Sequence, residues 1–229
     1  MQQTRRRFLA ATAGAAVLGT AGCLGNGGDS QSDGEDPIAS LGCSIEEREP
    51  VDSLPTPTMG PDDAPVVVDA WEDFACPHCA TFSLEVLPQV ESEYVADGVV
   101  QYRHHDFPLP VKEWWSWKGA SAARAAQDEA DDETFFAFAH TLFENQSTFG
   151  GNDTQASLST LRDLANDAGL DGCSVAAAAS RDRYRPLLEA QRKDAVENRG
   201  FQGTPTVLVN GEQVPARWED LKSAIENAR

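Results

Sequence analysis

The apolar positions change period several times along the chain. "PVVVDAW" at positions 65–71 is a compact β-branched run bounded by prolines and acids, which predicts a buried strand. From Cys79 the apolar positions recur at steps of three and four, through Phe82, Val86, Val90 and Tyr94. That spacing predicts a helix with one buried face. Pro88 falls inside it and predicts a kink, since the periodicity continues beyond it. Asp97-Gly98 then turns the chain into "VVQYRHHDF", a second strand. His104 and His105 are expected at its solvent end, facing opposite sides.

Between 111 and 199 helix formers take over, and four or five helices are expected. Asp132 before Phe135, Phe136, Phe138 and Phe143, and Ser157 before Leu158, Leu161 and Leu164, read as caps ahead of apolar stripes. Trp114, Trp115 and Trp117 read as core or edge of this block, with peptide contact as the alternative. "TPTVLVNG" returns to strand, Asn210-Gly211 makes a hairpin turn into "EQVPA", and an amphipathic helix from Trp218 to Ala228 closes the chain. The order β-α-β, helical block, β-β-α defines an α/β class.

The N-terminus is organised differently. Thr4-Arg5-Arg6-Arg7-Phe8-Leu9 resembles a twin-arginine export signal, and the weakly apolar stretch to Leu18 is too short to span a bilayer. Thr20-Ala21-Gly22-Cys23 looks like a lipobox, which implies lipidation of Cys23 and anchoring to the outer face of the membrane. Ordinary cleavage after small residues, with Cys23 incidental, is the alternative. The expected organisation is a signal at 1–22, a polar tether and arm at 23–57, one folded part at 58–110, the helical insertion at 111–199, and the second folded part at 200–229.

Charge narrows the range of partners. Acids outnumber bases 37 to 18, a formal net charge of −19, and only Lys112, Lys118, Lys193 and Lys222 are lysines. An acidic, lysine-poor surface fits adaptation to high salt, or simply an acidic soluble protein. Either way it repels nucleic acid and anionic lipid.

Chemistry concentrates at Cys76-Pro77-His78-Cys79. Proline is favoured at the first helical position, where its missing N–H goes unneeded, so Cys76 becomes the N-cap and Cys79 the third helical residue. A Cys76 thiolate would then face the free N–H groups of His78 and Cys79 at the positive end of the helix. Such a thiol ionises early, and a comfortable thiolate makes the matching disulfide an oxidant. A metal site is the alternative, although zinc sites usually add a second ligand pair, and the remaining candidates are His104, His105 and His140. An inert staple is another, although so short a loop constrains the unfolded chain little. Cys43 and Cys173 form a bridge or leave a free thiol, and spacing alone does not decide between them.

Strand, "CPHC", kinked helix, helical block and the returning Gly203-Thr204-Pro205-Thr206 together resemble the DsbA-like thiol:disulfide oxidoreductases of the thioredoxin superfamily. "APVVVDAWEDF" and "DFPL" at 106–109 add to the likeness, which covers residues 59–229. It implies a thioredoxin-like fold with an inserted all-helical subdomain and a redox-active Cys76–Cys79 pair. It also implies a cis Pro205 facing that pair, with Thr204 offering its backbone to an extended substrate. No cofactor beyond the disulfide is implied. Relatives often hold a buried acid six residues before the first cysteine, a position occupied here by Ala70; Asp69, Glu72 and Asp73 are the nearby acids. The expected activity is disulfide introduction into exported proteins bearing thiols, with reoxidation by a membrane partner, by a monomeric chain. An isomerase or reductase on the same fold is the alternative, and a metal carrier using Cys76, His78 and Cys79 is a further one. Asn145 and Asn152 match the glycan-acceptor pattern.

Overall fold

The computed structural model describes residues 36–110, 112–149, 151 and 153–229. The export motif, Cys23 and Asn152 lie outside the described residues. Five strands form one sheet in the order β1 (Thr58–Met59), β3 (Val100–Asp106), β2 (Val66–Glu72), β4 (Thr206–Val209), β5 (Glu212–Val214). Only β2 and β3 run parallel, pairing Ala70 with His104 and Glu72 with Asp106, while β4 lies antiparallel to β2. Parallel neighbours need a crossover. It is supplied by α1 (Pro77–Thr81) and α2 (Leu87–Val90), each continued by a π-helical turn, Phe82–Val86 and Glu91–Val95. Pro88 sits just past the first of these turns. The extra residue of a π turn absorbs the missing proline N–H, so the helix bends and does not stop.

One sheet face, with Val68, Ala70, Tyr102 and Val207, packs on Phe82, Val86 and Val90 of that crossover and on Leu221 and Ile225 of α8 (Trp218–Ala228). Between β3 and β4 stand five helices: α3 (Glu113–Glu129), α4 (Asp132–Glu144), α5 (Thr154–Asp167), α6 (Gly172–Ser180) and α7 (Arg185–Lys193). Their core takes in Trp115 and Trp117 and also Phe74, Ala75 and Cys79 from the sheet side. Asn210 and Gly211 carry positive φ values of 47° and 88°, the geometry a two-residue hairpin turn requires.

Two helix starts differ from the sequence expectation. Asp131 caps α4 by accepting from the Thr134 amide, and Asp153 caps α5 by accepting from the Ala156 amide. Asp132 is freed for another task, joining the Thr58 amide at 2.9 Å and Gln127 Nε2 at 2.8 Å. Ser157 lies inside α5, its hydroxyl donating to the Asp153 carbonyl at 3.0 Å.

The arm is fastened along the helical block. Cys43 and Cys173 are bridged, with Cα atoms 5.6 Å apart, and the Val51 amide donates to the Arg183 carbonyl at 2.8 Å. Arg162 and Arg181 hold the carbonyls of Leu41 and Ile45 at 2.7 and 3.0 Å. Among the described residues no helix is long and apolar enough to cross a membrane.

Candidate active site

Cys76 ends the loop after β2 in an extended conformation, φ −83° and ψ 120°, and Pro77 opens α1. His78 and Pro77 are exposed, Cys76 is half-buried, and Cys79 is 0% exposed. The two thiols are unbridged in this structure. Cys76 Sγ makes no capping bond to the helix amides; its thiol donates to the Thr204 carbonyl at 3.3 Å. The Thr204–Pro205 peptide bond is cis, and Thr204 Oγ1 is buried without a partner.

The thiol pair has opposite electrostatics. Cys76 is lowered to about 5: the Cys79 thiol contributes most, burial opposes, and the Thr204 hydroxyl and the amides of Cys79 and His78 add support. The helix amides named from the sequence therefore contribute, but behind two side-chain donors. Cys79 is pushed well above its ordinary value, by burial first and then by its partner thiol and the negative charge of Glu72. The surroundings thus favour the anion at Cys76 and the neutral thiol at Cys79.

The loop presenting Cys76 is held from three sides. Trp115 Nε1 donates to the Phe74 carbonyl at 3.0 Å, and Gln146 Nε2 reaches the carbonyls of Phe74 and Cys76 at 2.8 and 3.0 Å. The Asp73 carboxylate accepts from the Ala75 amide at 2.8 Å and from the Leu109 amide and Ser116 hydroxyl at 2.9 Å each. Burial raises Asp73 to about 6 against the pull of those three donors.

Behind Cys79 the nearby acid Glu72 begins a buried polar chain whose further links, His104, Asp106 and Arg124, the sequence does not reveal. Glu72, 1% exposed, accepts from Ser83 Oγ at 2.6 Å and Tyr102 O–H at 2.8 Å, and faces His104 Nδ1 at 3.4 Å. His104 Nε2 meets Asp106 at 3.3 Å, and Asp106 takes Arg124 Nε at 2.6 Å. His104 is thus 2% exposed, contrary to the expected solvent position. Burial alone would lower it, yet Asp106 and Glu72 raise it, favouring imidazolium. Asp106 falls to about 2 because Arg124 and His104 outweigh its burial. His105, on the other face, is half-buried, stacks on Trp71 at 4.3 Å and meets Asp69 at 2.8 Å. Alternation along the strand places Glu72 on the face of Ala70, which separates it from Asp69 among the nearby acids named from the sequence.

The remaining candidates stand apart. Asn145 ends α4, its amide donating to the Thr141 carbonyl at 2.9 Å. The acceptor pattern there hid the role of its neighbour Gln146. Among the described residues no group of three or more His, Cys, Asp or Glu is arranged to hold a metal ion.

A family model described as Thioredoxin matches residues 52–227. The probable disulfide bond formation protein D of Bacillus anthracis is 31% identical over 173 residues, covering 74% of this chain and 76% of the relative. Among solved structures, oxidised BdbD from Bacillus subtilis superposes with a TM-score of 0.65 at 25% identity, over 79% of this chain and 98% of that one. The reduced disulfide bond oxidoreductase DsbG of Mycobacterium tuberculosis gives 0.60 at 25% identity, over 76% and 86%. The chain belongs to the thioredoxin family and is a DsbA-like thiol:disulfide oxidoreductase.

Proposed function

We propose that the protein is an oxidase that introduces disulfides into exported proteins through a Cys76–Cys79 redox pair. The observation that carries this is the split between the two sulfurs, with Cys76 lowered to about 5 and Cys79 raised. A thiolate stabilised in the reduced form makes that form the favoured product, so the disulfide readily accepts electrons. A substrate thiolate attacks Cys76, the accessible sulfur, and forms a mixed disulfide while Cys79 leaves. A second substrate thiolate then attacks the substrate sulfur of that bond, releasing an oxidised substrate and a reduced pair. Thr204 and Pro205 line the approach to Cys76, and the exposed His78 and Pro77 form its rim. Glu72, whose negative charge helps raise Cys79, stands in for the acid missing at Ala70.

The working location is extracytoplasmic. Support comes from the twin-arginine and lipobox patterns before Cys23 and from the Cys43–Cys173 bridge, which needs an oxidising compartment to persist. Reoxidation falls to a membrane partner or a small oxidant.

The deciding measurement is the reduction potential of the pair. A value near about −120 mV supports the oxidase, and one near about −270 mV overturns it in favour of a reductase. Turnover of a reduced, unfolded protein with paired thiols should vanish in Cys76→Ser.

A further inference from the structure

The direction of the Cys76 side chain is set by the peptide planes around it, and each plane is tied down. In the plane joining Phe74 to Ala75, the oxygen accepts from Trp115 Nε1 and Gln146 Nε2, while the Ala75 amide donates to the Asp73 carboxylate. In the next plane the Cys76 amide donates to the Asp73 carbonyl at 2.9 Å. The plane joining Cys76 to Pro77 has no N–H, so its oxygen is the only handle. That oxygen accepts from the Cys79 and Ala80 amides, at 3.1 Å each, which belong to α1 and move with it. It also accepts from Gln146 Nε2 at 3.0 Å, and among the described residues this is its one donor from outside α1.

Gln146 is itself firmly seated. It opens the 3-10 turn Gln146–Phe149 that follows α4. The Thr148 amide and hydroxyl both donate to the Asn145 carbonyl, at 3.0 and 2.7 Å, and Phe149 stacks on Trp115 with ring centroids 3.7 Å apart. Both partners of the Gln146 side chain are carbonyl oxygens, so the atom facing them is the nitrogen. One NH2 group thus brackets Ala75 and Cys76, the two residues whose torsions aim the sulfur.

We propose that Gln146 is a positioning residue of the exchange reaction: by pinning the carbonyls of Phe74 and Cys76 it aims the Cys76 sulfur at Thr204 and along the line of attack, and so ties the cysteine pair to the end of α4. This rests on Cys76 being the exchanging sulfur, as proposed above. In that step the substrate thiolate supplies the electron pair of a new bond to Cys76, and the pair of the Cys76–Cys79 bond leaves on Cys79. The three sulfurs must lie nearly in line while this happens, so a turned Cys76 backbone costs rate directly. The thiolate left on Cys76 when the pair is reduced depends on the same aim. The Cys79 thiol, the Thr204 hydroxyl and the α1 amides support it only where they point at it.

Gln146→Met keeps the length of the side chain and removes both bonds. In the full chain, opening of the oxidised pair by excess dithiothreitol, read by quenched alkylation and mass, should slow about three- to tenfold, the worth of a neutral hydrogen bond. The pH midpoint of Cys76 alkylation should rise by about half to one unit. Thr148→Val loosens the same turn without touching the Cys76 loop, and should keep the parental rate and midpoint. Should Gln146→Met not fold, Gln146→Leu takes its place. A parental rate and midpoint in the folded variant, whatever its melting temperature, overturn the positioning role, and so does a Thr148→Val chain that shifts both as far. A Cys76→Ser chain that still turns over a reduced, unfolded protein overturns the exchange reading itself, and the positioning role with it.

Discussion

Cys76 Sγ lies 3.3 Å from the carbonyl of Thr204, a residue 128 positions later in the chain. The same residue keeps a buried hydroxyl, Oγ1, with no partner while Cys76 is a thiol. On ionisation the thiol loses its donor role and the hydroxyl gains an acceptor. Thr204→Val keeps the shape and removes only that donor. Hydrogen bonds to charged groups contribute about 1.5–3 kcal/mol, so the Cys76 midpoint should climb from about 5 by roughly one to two pH units. Iodoacetamide reactivity against pH measures it; an unmoved midpoint removes Thr204 from the account.

Reduced protein should be more stable than oxidised protein at neutral pH. The Cys76 thiolate has a folded value of about 5 against an ordinary value of 9.0. A depressed acid contributes stability that is complete above its unfolded value and is lost as pH falls through the folded one. The disulfide form has no such group, and its short loop restricts the unfolded chain little. Melting of both forms between pH 4 and 8 should show the reduced advantage shrinking toward pH 5 and vanishing below it. An oxidised form that melts higher at pH 7 would contradict the redox direction.

Salt should leave the Cys76 midpoint almost where it is. The groups that lower it, the Cys79 thiol, the Thr204 hydroxyl and two helix amides, are uncharged donors and not distant ions. At 1 M salt the screening length is about 3 Å, which removes distant charges and spares contacts. Titration in low salt and in molar KCl should therefore agree, and a midpoint drifting toward that of free cysteine would show long-range charge at work.

Much of this architecture is readable in the chain, and the exceptions share a cause. The strand run before Cys76, the stripe from Cys79 to Tyr94 and the Asn210-Gly211 turn are local signals that packing reinforces. The start of α4 falls at Asp131 because Asp131 and Asp132 offer equal caps, and only the partners of Asp132 across the fold separate them; α5 starts one turn before Ser157 because Asp153 holds its cap. His104 was placed near solvent because a strand end with two histidines reads as polar. Burial follows only once Glu72 and Asp106 are seen on either side of the ring. Gln146 and Arg124 bind backbone or side chains 18 to 72 positions away, contacts with no trace in local periodicity.

The Cys43–Cys173 bridge spans 130 positions and fixes the arm to α6. Closing so long a loop removes much freedom from the unfolded chain, and its loss should cost about 2–4 kcal/mol. The Cys43→Ala/Cys173→Ala chain should melt lower and lose protection in the arm by hydrogen exchange, with the Cys76 midpoint unchanged. Equal stability in the variant would mean that the arginine-to-carbonyl contacts hold the arm unaided.

Arg124 should be the costliest single side chain to remove from the polar chain behind Cys79. Both it and Asp106 are 0% exposed, joined at 2.6 Å. Arg124→Met leaves the Asp106 carboxylate buried with His104 as its one remaining cationic partner, and breaking a buried pair in this way costs about 3–5 kcal/mol. Replacing both partners, Arg124→Met with Asp106→Leu, should recover most of the loss, because no unpaired charge is then enclosed. The pH dependence separates charge from packing. Asp106 is held at about 2 in the parent, so its contribution is present above 3.8 and lost only as pH falls through 2. Without Arg124 the folded value rises, and the carboxylate can take a proton within the fold as pH drops. The deficit of the single variant, measured by urea denaturation, should therefore narrow from pH 7 toward pH 4. A deficit constant across that range would assign the loss to the cavity left by the guanidinium, and not to the stranded carboxylate.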